Sequence, residues 1–115
     1  MFVDDKTRIA HMIDASEEAV AFSTGKSQDD VYSDRLLALC LVKCLEMMGE
    51  AASKVSHKLK EEHPEIDWKY LIEIRHHLVH EYHDINAERV WKTIKLDLPD
   101  IIKSLRLIKI DNEAI

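Results

Sequence analysis

The sequence predicts an all-α protein, an antiparallel four-helix-type bundle, and three observations support this fold class. Apolar residues recur every three or four positions along most of the chain, which is the spacing of one helix face. Runs that alternate apolar and polar residues between turn signals, as strands do, are absent from the sequence. Two Gly and two Pro among 115 residues are too few for most turn-rich all-β folds.

Length, composition and charge limit the class of protein further. With 115 residues, the chain suits a single domain over residues 1–115, because two domains would each have too small a core. The N-terminal sequence lacks the features of a signal peptide, and no apolar run approaches the ~18 residues that span a membrane. Two Cys are typical of a reducing compartment, so we expect a cytoplasmic protein. The net charge of −6 argues against sequence-independent binding of nucleic acid.

The first helix is expected to run from Asp4 or Asp5 to Ser23. Acidic residues at its start suit the helix dipole, and Gly25 provides a stop. One face carries the spacing of a buried stripe: Ile9, Met12, Ile13, Ser16, Ala19, Val20 and Ser23.

The second long helix is expected over residues 35–60, after a connector over residues 24–34 with room for one short helical turn. Ser33 or Asp34 can cap it. Its first half is apolar on nearly every side, which predicts burial by several neighbours, a second copy of the chain among them. Gly49 costs about 1 kcal/mol relative to Ala inside a helix, which favours a close approach of another backbone there.

A short third helix is expected over residues 68–82. Pro64 ends the helix before it, and Asp67 can cap its first turn. Most of the residues that could take part in catalysis or metal binding lie in this helix.

A fourth helix is expected over residues 87–110, capped by Asp84 or Asn86. Pro99 lies inside it and predicts a kink, or a restart with Asp97 as the new cap. Four principal helices with short joints predict the antiparallel bundle.

A cluster of histidines marks the candidate site, because four of the seven His lie within residues 75–84. One set of possible ligands, Glu73, His76, His80 and His83, has steps of three, four and three residues. On a continuous helix these side chains share one face, which is an arrangement that can bind a transition metal.

A second pattern overlaps the first and consists of Arg75, His80 and Tyr82. The Arg guanidinium offers a fixed fork of donors for a phosphate, and the His can move a proton near neutral pH. These groups suffice to cleave RNA without a metal, with His80 taking the proton from the ribose 2′-OH. Five residues on a straight helix lie ~140° apart. Arg75 and His80 therefore converge only if the helix ends before His80 or if they act across a dimer cleft.

Three longer stretches, residues 35–56, 63–82 and 85–99, carry a resemblance to a known family. The first contains a Gly-Glu-Ala element at residues 49–51, the second the Arg-x4-His-x-Tyr pattern, and the third an Asp-Leu-Pro element. In these features the chain resembles the HEPN superfamily over residues 4–107. Within that superfamily it is similar to the HepT-like toxins, which are encoded beside a minimal nucleotidyltransferase.

The resemblance implies a HEPN-like helical domain that forms a homodimer, with the motifs of both copies lining a shared cleft. It implies a metal-independent endoribonuclease, without a cofactor, that acts as a toxin on tRNA or mRNA. It also implies a nucleotidyltransferase antitoxin as partner. Arg75 would bind the phosphate and His80 would act as acid or base, while Tyr82 would be the site of adenylation.

Supporting roles are expected for His76 and Glu50. The family commonly has Asn at the position of His76, where a second imidazole could share the proton transfer. Glu50 could form a hydrogen bond with the motif from the second helix. A Gly is common in the family where this chain has Glu81, a carboxylate that mildly repels a phosphate.

Two alternatives remain open at this point: a non-catalytic helical adaptor that binds a nucleotidyltransferase, and a metal-binding bundle.

Six bases between residues 89 and 109 form either a surface that holds RNA or a solvated helix face. Cys40 and Cys44 are expected to pack as buried thiols.

Overall fold

The computed structural model of the protein describes residues 4–81 and 84–109. Its helices are α1 (Asp5–Ser23), α2 (Gln28–Ser33), α3 (Arg35–Lys54), α4 (His57–Glu62), α5 (Trp68–Ile72), α6 (Ile74–Leu78), α7 (Ala87–Lys92) and α8 (Leu98–Leu107). A π-helical turn, Thr93–Asp97, joins α7 to α8. The described chain is an all-α bundle, as predicted. Within these two ranges, no helix is long and apolar enough to cross a membrane.

α1 and α3 pack along each other at the centre of the bundle. α1 begins after Asp4, whose carboxylate accepts a hydrogen bond from the Thr7 N–H at 2.9 Å. It ends just before Gly25, whose φ of 77° lies in the left-handed region that favours glycine. Both predicted ends of this helix are confirmed. Its buried face carries Ile9, Met12, Ala15, Ser16, Ala19 and Ser23.

α3 leaves part of its apolar surface exposed. Its N-cap is Asp34, which accepts a hydrogen bond from the Leu37 N–H. Leu36 is 72% exposed, and Leu39 and Met47 are each 45% exposed. These exposed side chains lie on the helix for which the sequence predicts contact with a second copy of the chain.

The second long helix is shorter than predicted, because it ends at Lys54 instead of continuing to about Lys60. Val55 is extended, with ψ of 142°, and Ser56 caps the separate helix α4. The carboxylate of Asp5, at the start of α1, accepts hydrogen bonds from both the N–H and the hydroxyl of Ser56, at 2.8 and 2.6 Å. A side chain 51 residues away thus stabilises the break.

Gly49 lies where the backbones of α3 and α5 meet. A Cβ on Gly49 would overlap the carbonyl oxygen of Leu71, and it would also crowd the Ile74 side chain at 3.3 Å. The predicted close approach of another backbone is confirmed, and that backbone belongs to the same chain. The contact presses α5 and α6 against α3 and so sets the position of the residues that follow Ile74.

The third helix is also shorter than predicted. It is interrupted at Glu73 and ends at Leu78, whereas the sequence predicted a helix as far as Tyr82. Val79 is extended and forms an isolated antiparallel bridge with Ile85. β-Branched side chains such as Val favour this conformation. Consequently the chain leaves the helix before it reaches His80.

The last helical segment contains the irregularity that Pro99 predicts. Asn86 caps α7 by accepting a hydrogen bond from the Arg89 N–H at 3.0 Å. The π-helical turn widens the helix just before Pro99, which lacks an N–H and cannot continue a regular hydrogen-bond ladder. The predicted restart is confirmed in position, because α8 begins at Leu98 with Asp97 as its N-cap residue. The Asp97 side chain forms no cap hydrogen bond, however, and instead accepts one from the Tyr70 hydroxyl.

Candidate functional site

Arg75 projects from the bundle because its helix is anchored by its neighbours. Ile74 and Leu78, on the buried face of α6, are 1% and 0% exposed, whereas the Arg75 side chain is 57% exposed. Its Nε–H donates a hydrogen bond to Oε1 of Glu46 on α3, at 3.1 Å. This contact ties the guanidinium to the central helix of the fold.

The hydrogen bond between Arg75 and Glu46 orients the guanidinium more than it stabilises the protein. An exposed ion pair contributes about 0–1 kcal/mol to stability, because solvent and side-chain entropy offset the attraction. Since the donor is Nε–H, the two terminal NH₂ groups of Arg75 remain available for another acceptor. An Arg fork of this kind matches the oxygens of a phosphate.

The Arg75 groove is the depression between α3 and the α5–α6 segment. It contains Arg75 together with both residues for which supporting roles were predicted, His76 and Glu50. Its lining residues are Glu46, Gly49, Glu50, Ser53, Ile72, Ile74, Arg75 and His76. Glu46 is the residue that sequence reasoning missed, and it is Glu46, not Glu50, that bonds Arg75. Its position one helical turn before Glu50, on the same face, is the signal that could have identified it.

His80 lies beyond the end of α6, in a tight turn. Its backbone N–H donates to the carbonyl of Asp84 at 3.0 Å, and the Asp84 N–H donates to the carbonyl of Glu81 at 2.8 Å. The His80 side chain is exposed, and it is not among the residues that line the Arg75 groove. Within the described chain, no hydrogen bond joins His80 to Arg75. Tyr82, the predicted modification site, lies outside the described residues.

The metal-binding alternative required an unbroken helix from Glu73 through His83. The helix is instead interrupted at Glu73 and ends at Leu78, so His80 does not continue the face of His76. His83 lies outside the described residues. Within residues 4–81 and 84–109, no three His, Cys, Asp or Glu side chains are placed to hold a metal ion together.

His77 contributes to packing on the opposite side of α6 from the groove. Its ring lies 5.1 Å from the ring of Tyr70, centroid to centroid. The Tyr70 hydroxyl donates to Asp97 at 3.0 Å and accepts from the guanidinium of Arg89 at 3.2 Å. We call Tyr70, His77, Arg89 and Asp97 the Tyr70 cluster.

The bases of the last helical segment mostly have partners within the chain. Arg89 bonds Tyr70, Lys95 lies 4.7 Å from the centre of the Trp91 ring, and Lys92 and Arg106 form ion pairs with Glu88 and Glu17. Four of the six basic residues that the sequence suggested as an RNA-binding surface therefore contact other side chains of the same chain. This arrangement favours the solvated and internally paired face over a surface that holds RNA.

The two cysteines differ in exposure, since Cys44 is buried and Cys40 is partly exposed. Burial raises the pKa of the Cys44 thiol to about 11, with a further contribution from the nearby carboxylate of Glu18. At neutral pH Cys44 is a protonated thiol that packs as a small apolar group, as predicted for it.

Comparison with known proteins gives consistent results. Residues 12–108 match the family described as Ribonuclease HepT-like. A protein of Thermococcus cleftensis named as a probable ribonuclease HepT is 31% identical over 93 residues, covering 81% of this chain and 82% of that protein. A protein of Caldanaerobacter subterraneus, provisionally named as an RNase, is 29% identical over 87% of this chain and 89% of its own length. A protein of Methanocaldococcus jannaschii, also provisionally named as an RNase, is 27% identical over 96% of this chain and 92% of its own length. No solved structure matches.

Proposed function

The chain belongs to the HepT-like ribonuclease family of the HEPN superfamily, and on that premise we propose that it is the toxin of a toxin–antitoxin pair that cuts RNA without a metal ion. The observation that carries the proposal is the end of α6 at Leu78, between Arg75 and His80. On an unbroken helix these two side chains would point ~140° apart. Because the chain turns after Leu78, the helix no longer fixes the direction of His80 relative to that of Arg75.

In the proposed reaction the ribose 2′-oxygen attacks the adjacent phosphorus. His80 takes the proton from the 2′-OH as the O2′–P bond forms, and the P–O5′ bond breaks. The terminal NH₂ groups of Arg75 bind the phosphate oxygens on which negative charge grows. A second imidazole, that of His76 or of the other copy, returns a proton to the 5′-oxygen. The products are a 2′,3′-cyclic phosphate and a 5′-hydroxyl.

A homodimer belongs to the proposal, because it brings two copies of each group to one cleft. The exposed apolar side chains Leu36, Leu39 and Met47 of α3 offer the surface for it. Their burial against a second copy would remove apolar area from water at about 25 cal/mol per Å². Sedimentation should give twice the mass of the chain at micromolar concentration, and a folded monomer would contradict the shared cleft.

Control by a nucleotidyltransferase antitoxin is the regulatory part of the proposal. An adenylyl group on Tyr82 would add a negatively charged phosphodiester two residues from His80. That charge would repel the substrate phosphate and attract the Arg75 fork intended for it. Mass spectrometry of the protein co-expressed with the neighbouring gene tests this step. An inhibited complex with unmodified Tyr82 would mean inhibition by masking.

The catalytic proposal is tested by incubating the purified protein with total cellular RNA, in parallel with Arg75→Ala and His80→Ala. We expect cleavage by the unchanged protein and strong loss in both variants, with circular dichroism spectra that stay helical. If neither the protein nor the variants cleave RNA while the protein binds a nucleotidyltransferase, the chain is the non-catalytic adaptor instead.

A further inference from the structure

We infer that the groove between α2 and the start of α7 binds an unpaired nucleobase of the RNA, next to the phosphate that is cut. We call it the Tyr32 groove. Gln28 and Tyr32 line it from α2, and Ile85 and Asn86 line it from the segment that leads into α7. The inference rests on the proposed function, because it assigns a subsite to the RNA substrate.

The first support is the exposure of the Tyr32 ring on a well-held helix. Tyr32 is 85% exposed, the largest value among the exposed large apolar side chains of the described residues. The neighbouring Val31 is 1% exposed and anchors α2 to the core. The side chains of Ser27 and Asp30 each accept a hydrogen bond from the other's backbone N–H, which closes the first turn of α2. An aromatic ring presented to solvent in this way is a surface on which an RNA base can stack.

The second support is the position of the Tyr32 groove beside the turn that carries His80. Ile85 pairs with Val79 in the antiparallel bridge, and the Asn86 N–H donates to the carbonyl of Leu78 at 2.8 Å. Paired residues of such a bridge have Cα atoms about 5 Å apart, and the next Cα along the chain is about 4 Å further. The Cα of His80 thus lies within about 9 Å of the Cα of Ile85. A nucleotide next to the cut phosphate can reach the groove over this distance.

The third support is a pair of amide groups in the Tyr32 groove that the fold leaves available. Gln28 is half-buried, and its amide forms no hydrogen bond within the described chain. The Asn86 side chain accepts the Arg89 N–H through Oδ1, which leaves its NH₂ group without a partner among the described residues. Amides of Asn and Gln supply donors and acceptors that match the edge of a nucleobase. They can bind the edge of a base whose face lies on Tyr32.

The charge of the Tyr32 groove favours a nucleobase over a phosphate. Among the described residues that line it are two carboxylates, Asp29 and Glu88, and no Lys, Arg or His. Glu88 pairs with Lys92 at 3.2 Å, and Lys92 lies outside the groove. This surface repels a phosphate, whereas a nucleobase is uncharged at neutral pH and its amino groups can donate to a carboxylate.

The Tyr32 groove and the proposed homodimer surface use different side chains. None of the described residues that line the groove belongs to α3, the helix that carries Leu36, Leu39 and Met47. The two roles can therefore be tested separately, because a role of Tyr32 in assembly would change the mass found by sedimentation.

The experiment compares two short fluorescent RNAs with 2′-O-methyl groups, which cannot be cut by 2′-OH attack. One carries adenine at every position, and the other has the same sugar–phosphate backbone without nucleobases. Fluorescence anisotropy gives the Kd of each, and the ratio of the two isolates what the nucleobases contribute. For the unchanged protein we expect the adenine RNA to bind at least about 5-fold more tightly, since stacking on an aromatic side chain has at least this effect per base.

Substitutions of exposed aromatic residues locate that contribution. Tyr32→Leu keeps an apolar side chain without the aromatic face, so it should weaken binding of the adenine RNA at least about 5-fold and leave the Kd of the bare backbone unchanged. Tyr32→Phe keeps the ring and should bind both RNAs as the unchanged protein does. Phe22→Leu removes a ring that is 45% exposed outside the groove, and as the matched control it should change neither Kd.

The salt dependence of binding separates stacking from contacts to phosphate. Each phosphate contact to a single strand contributes about 0.7 to the salt slope of log K, whereas an uncharged base releases no counterions. Tyr32→Leu should therefore leave the slope unchanged, and Arg75→Ala should lower it by about 0.7. A lower slope in Tyr32→Leu, or an equal loss of binding to both RNAs, would overturn the assignment of a nucleobase to the Tyr32 groove.

The remaining outcomes distinguish the subsite from the proposed function. If the protein cuts RNA but Tyr32→Leu binds the adenine RNA as tightly as the unchanged protein, the subsite is wrong and the proposed function stands. A lower mass of Tyr32→Leu in sedimentation, or loss of nucleotidyltransferase binding with unchanged RNA binding, would assign Tyr32 to a protein interface and overturn the subsite. Base-dependent binding through Tyr32 without cleavage of natural RNA would support the subsite and contradict the proposed function.

Discussion

Arg75 and Arg89 have similar neighbours but differ in how the fold uses them. Each donates a hydrogen bond to a side chain on an element distant in the sequence, Arg75 to Glu46 on α3 and Arg89 to Tyr70 on α5. In the Tyr70 cluster the polar groups bond one another: Arg89 donates to the Tyr70 hydroxyl and lies 5.6 Å from the centre of its ring, and Tyr70 donates to Asp97. The Nε of Arg89 is buried and has no hydrogen-bond partner among the described residues. In the Arg75 groove the guanidinium bonds Glu46 through Nε alone, and the Arg75 side chain is more than half exposed.

This difference teaches how the same residue types can serve packing in one place and chemistry in another. Arg89 joins α7 to Tyr70 on α5, and Tyr70 in turn bonds Asp97 in the π-helical turn, so the charge of Arg89 is used by the fold. Arg75 is oriented by Glu46 but keeps the donors that a phosphate needs. Substitutions in the Arg75 groove should therefore change activity, whereas substitutions in the Tyr70 cluster should change stability.

The largest effect should come from the histidines. His80→Ala should lower the rate of RNA cleavage on the order of 10²–10⁴-fold, because it removes general acid–base help. His77→Ala, which removes a ring that packs on Tyr70, should leave the rate near that of the unchanged protein. Single-turnover cleavage of a labelled RNA measures both. An equal loss of cleavage rate in the two variants would contradict the assignment of His80 to catalysis and His77 to packing.

The arginines should show opposite profiles of activity and stability. Arg75→Ala should reduce cleavage about 10²–10³-fold, the usual cost of losing one transition-state donor, and change the free energy of unfolding by no more than about 1 kcal/mol. Arg89→Ala should lower the free energy of unfolding by about 1–3 kcal/mol, because it removes a hydrogen bond and a cation–π contact. Urea titrations and cleavage rates measured on the same samples check this prediction, which a stability loss confined to Arg75→Ala would contradict.

The glycines test the contact that positions α6. Gly49→Ala should cost about 1–3 kcal/mol of unfolding free energy, because its Cβ would overlap the Leu71 carbonyl and force α5 away from α3. Gly25→Ala serves as the matched control. There is open space around Gly25 and the cost comes only from its positive φ, about 1 kcal/mol. Thermal unfolding of both variants measures the difference, and equal costs would show that the α3–α5 contact is not tight.

The smallest effect concerns Cys44 at alkaline pH. The unfolded thiol ionises near its ordinary pKa of 9.0, whereas the folded thiol stays neutral to about 11. The contribution of Cys44 to stability is therefore complete below pH 9 and is lost as the pH rises toward 11. Cys44→Ala should flatten this part of the stability profile relative to Cys40→Ala. Urea midpoints measured across this pH range test the sign, and identical profiles would contradict it.

The sequence predicted well those features that depend on a few neighbouring residues. Asp34, Asp67 and Asn86 cap their helices as expected, because a cap needs only a side-chain oxygen and an N–H three residues away. The irregularity before Pro99 follows from the missing N–H of a single residue. The bundle itself follows from the apolar stripes.

Features that depend on residues distant in the sequence were beyond sequence reasoning. The break after Lys54 is stabilised by Asp5, and the orientation of Arg75 is set by Glu46, which no local pattern connects to it. The early end of α6 is followed directly by the bridge between Val79 and Ile85, a pairing across a turn that helical periodicity does not reveal. For the same reason the predicted histidine face of a metal site was not found among the described residues.

The most direct test of the central claim is cleavage of a defined RNA in the presence of a metal chelator, with chemical identification of the new ends. If the groups near Arg75 and His80 drive attack by the 2′-OH, cleavage persists in chelator and leaves a 2′,3′-cyclic phosphate and a 5′-hydroxyl. Strict dependence on a divalent ion, or products with a 5′-phosphate, would contradict this mechanism.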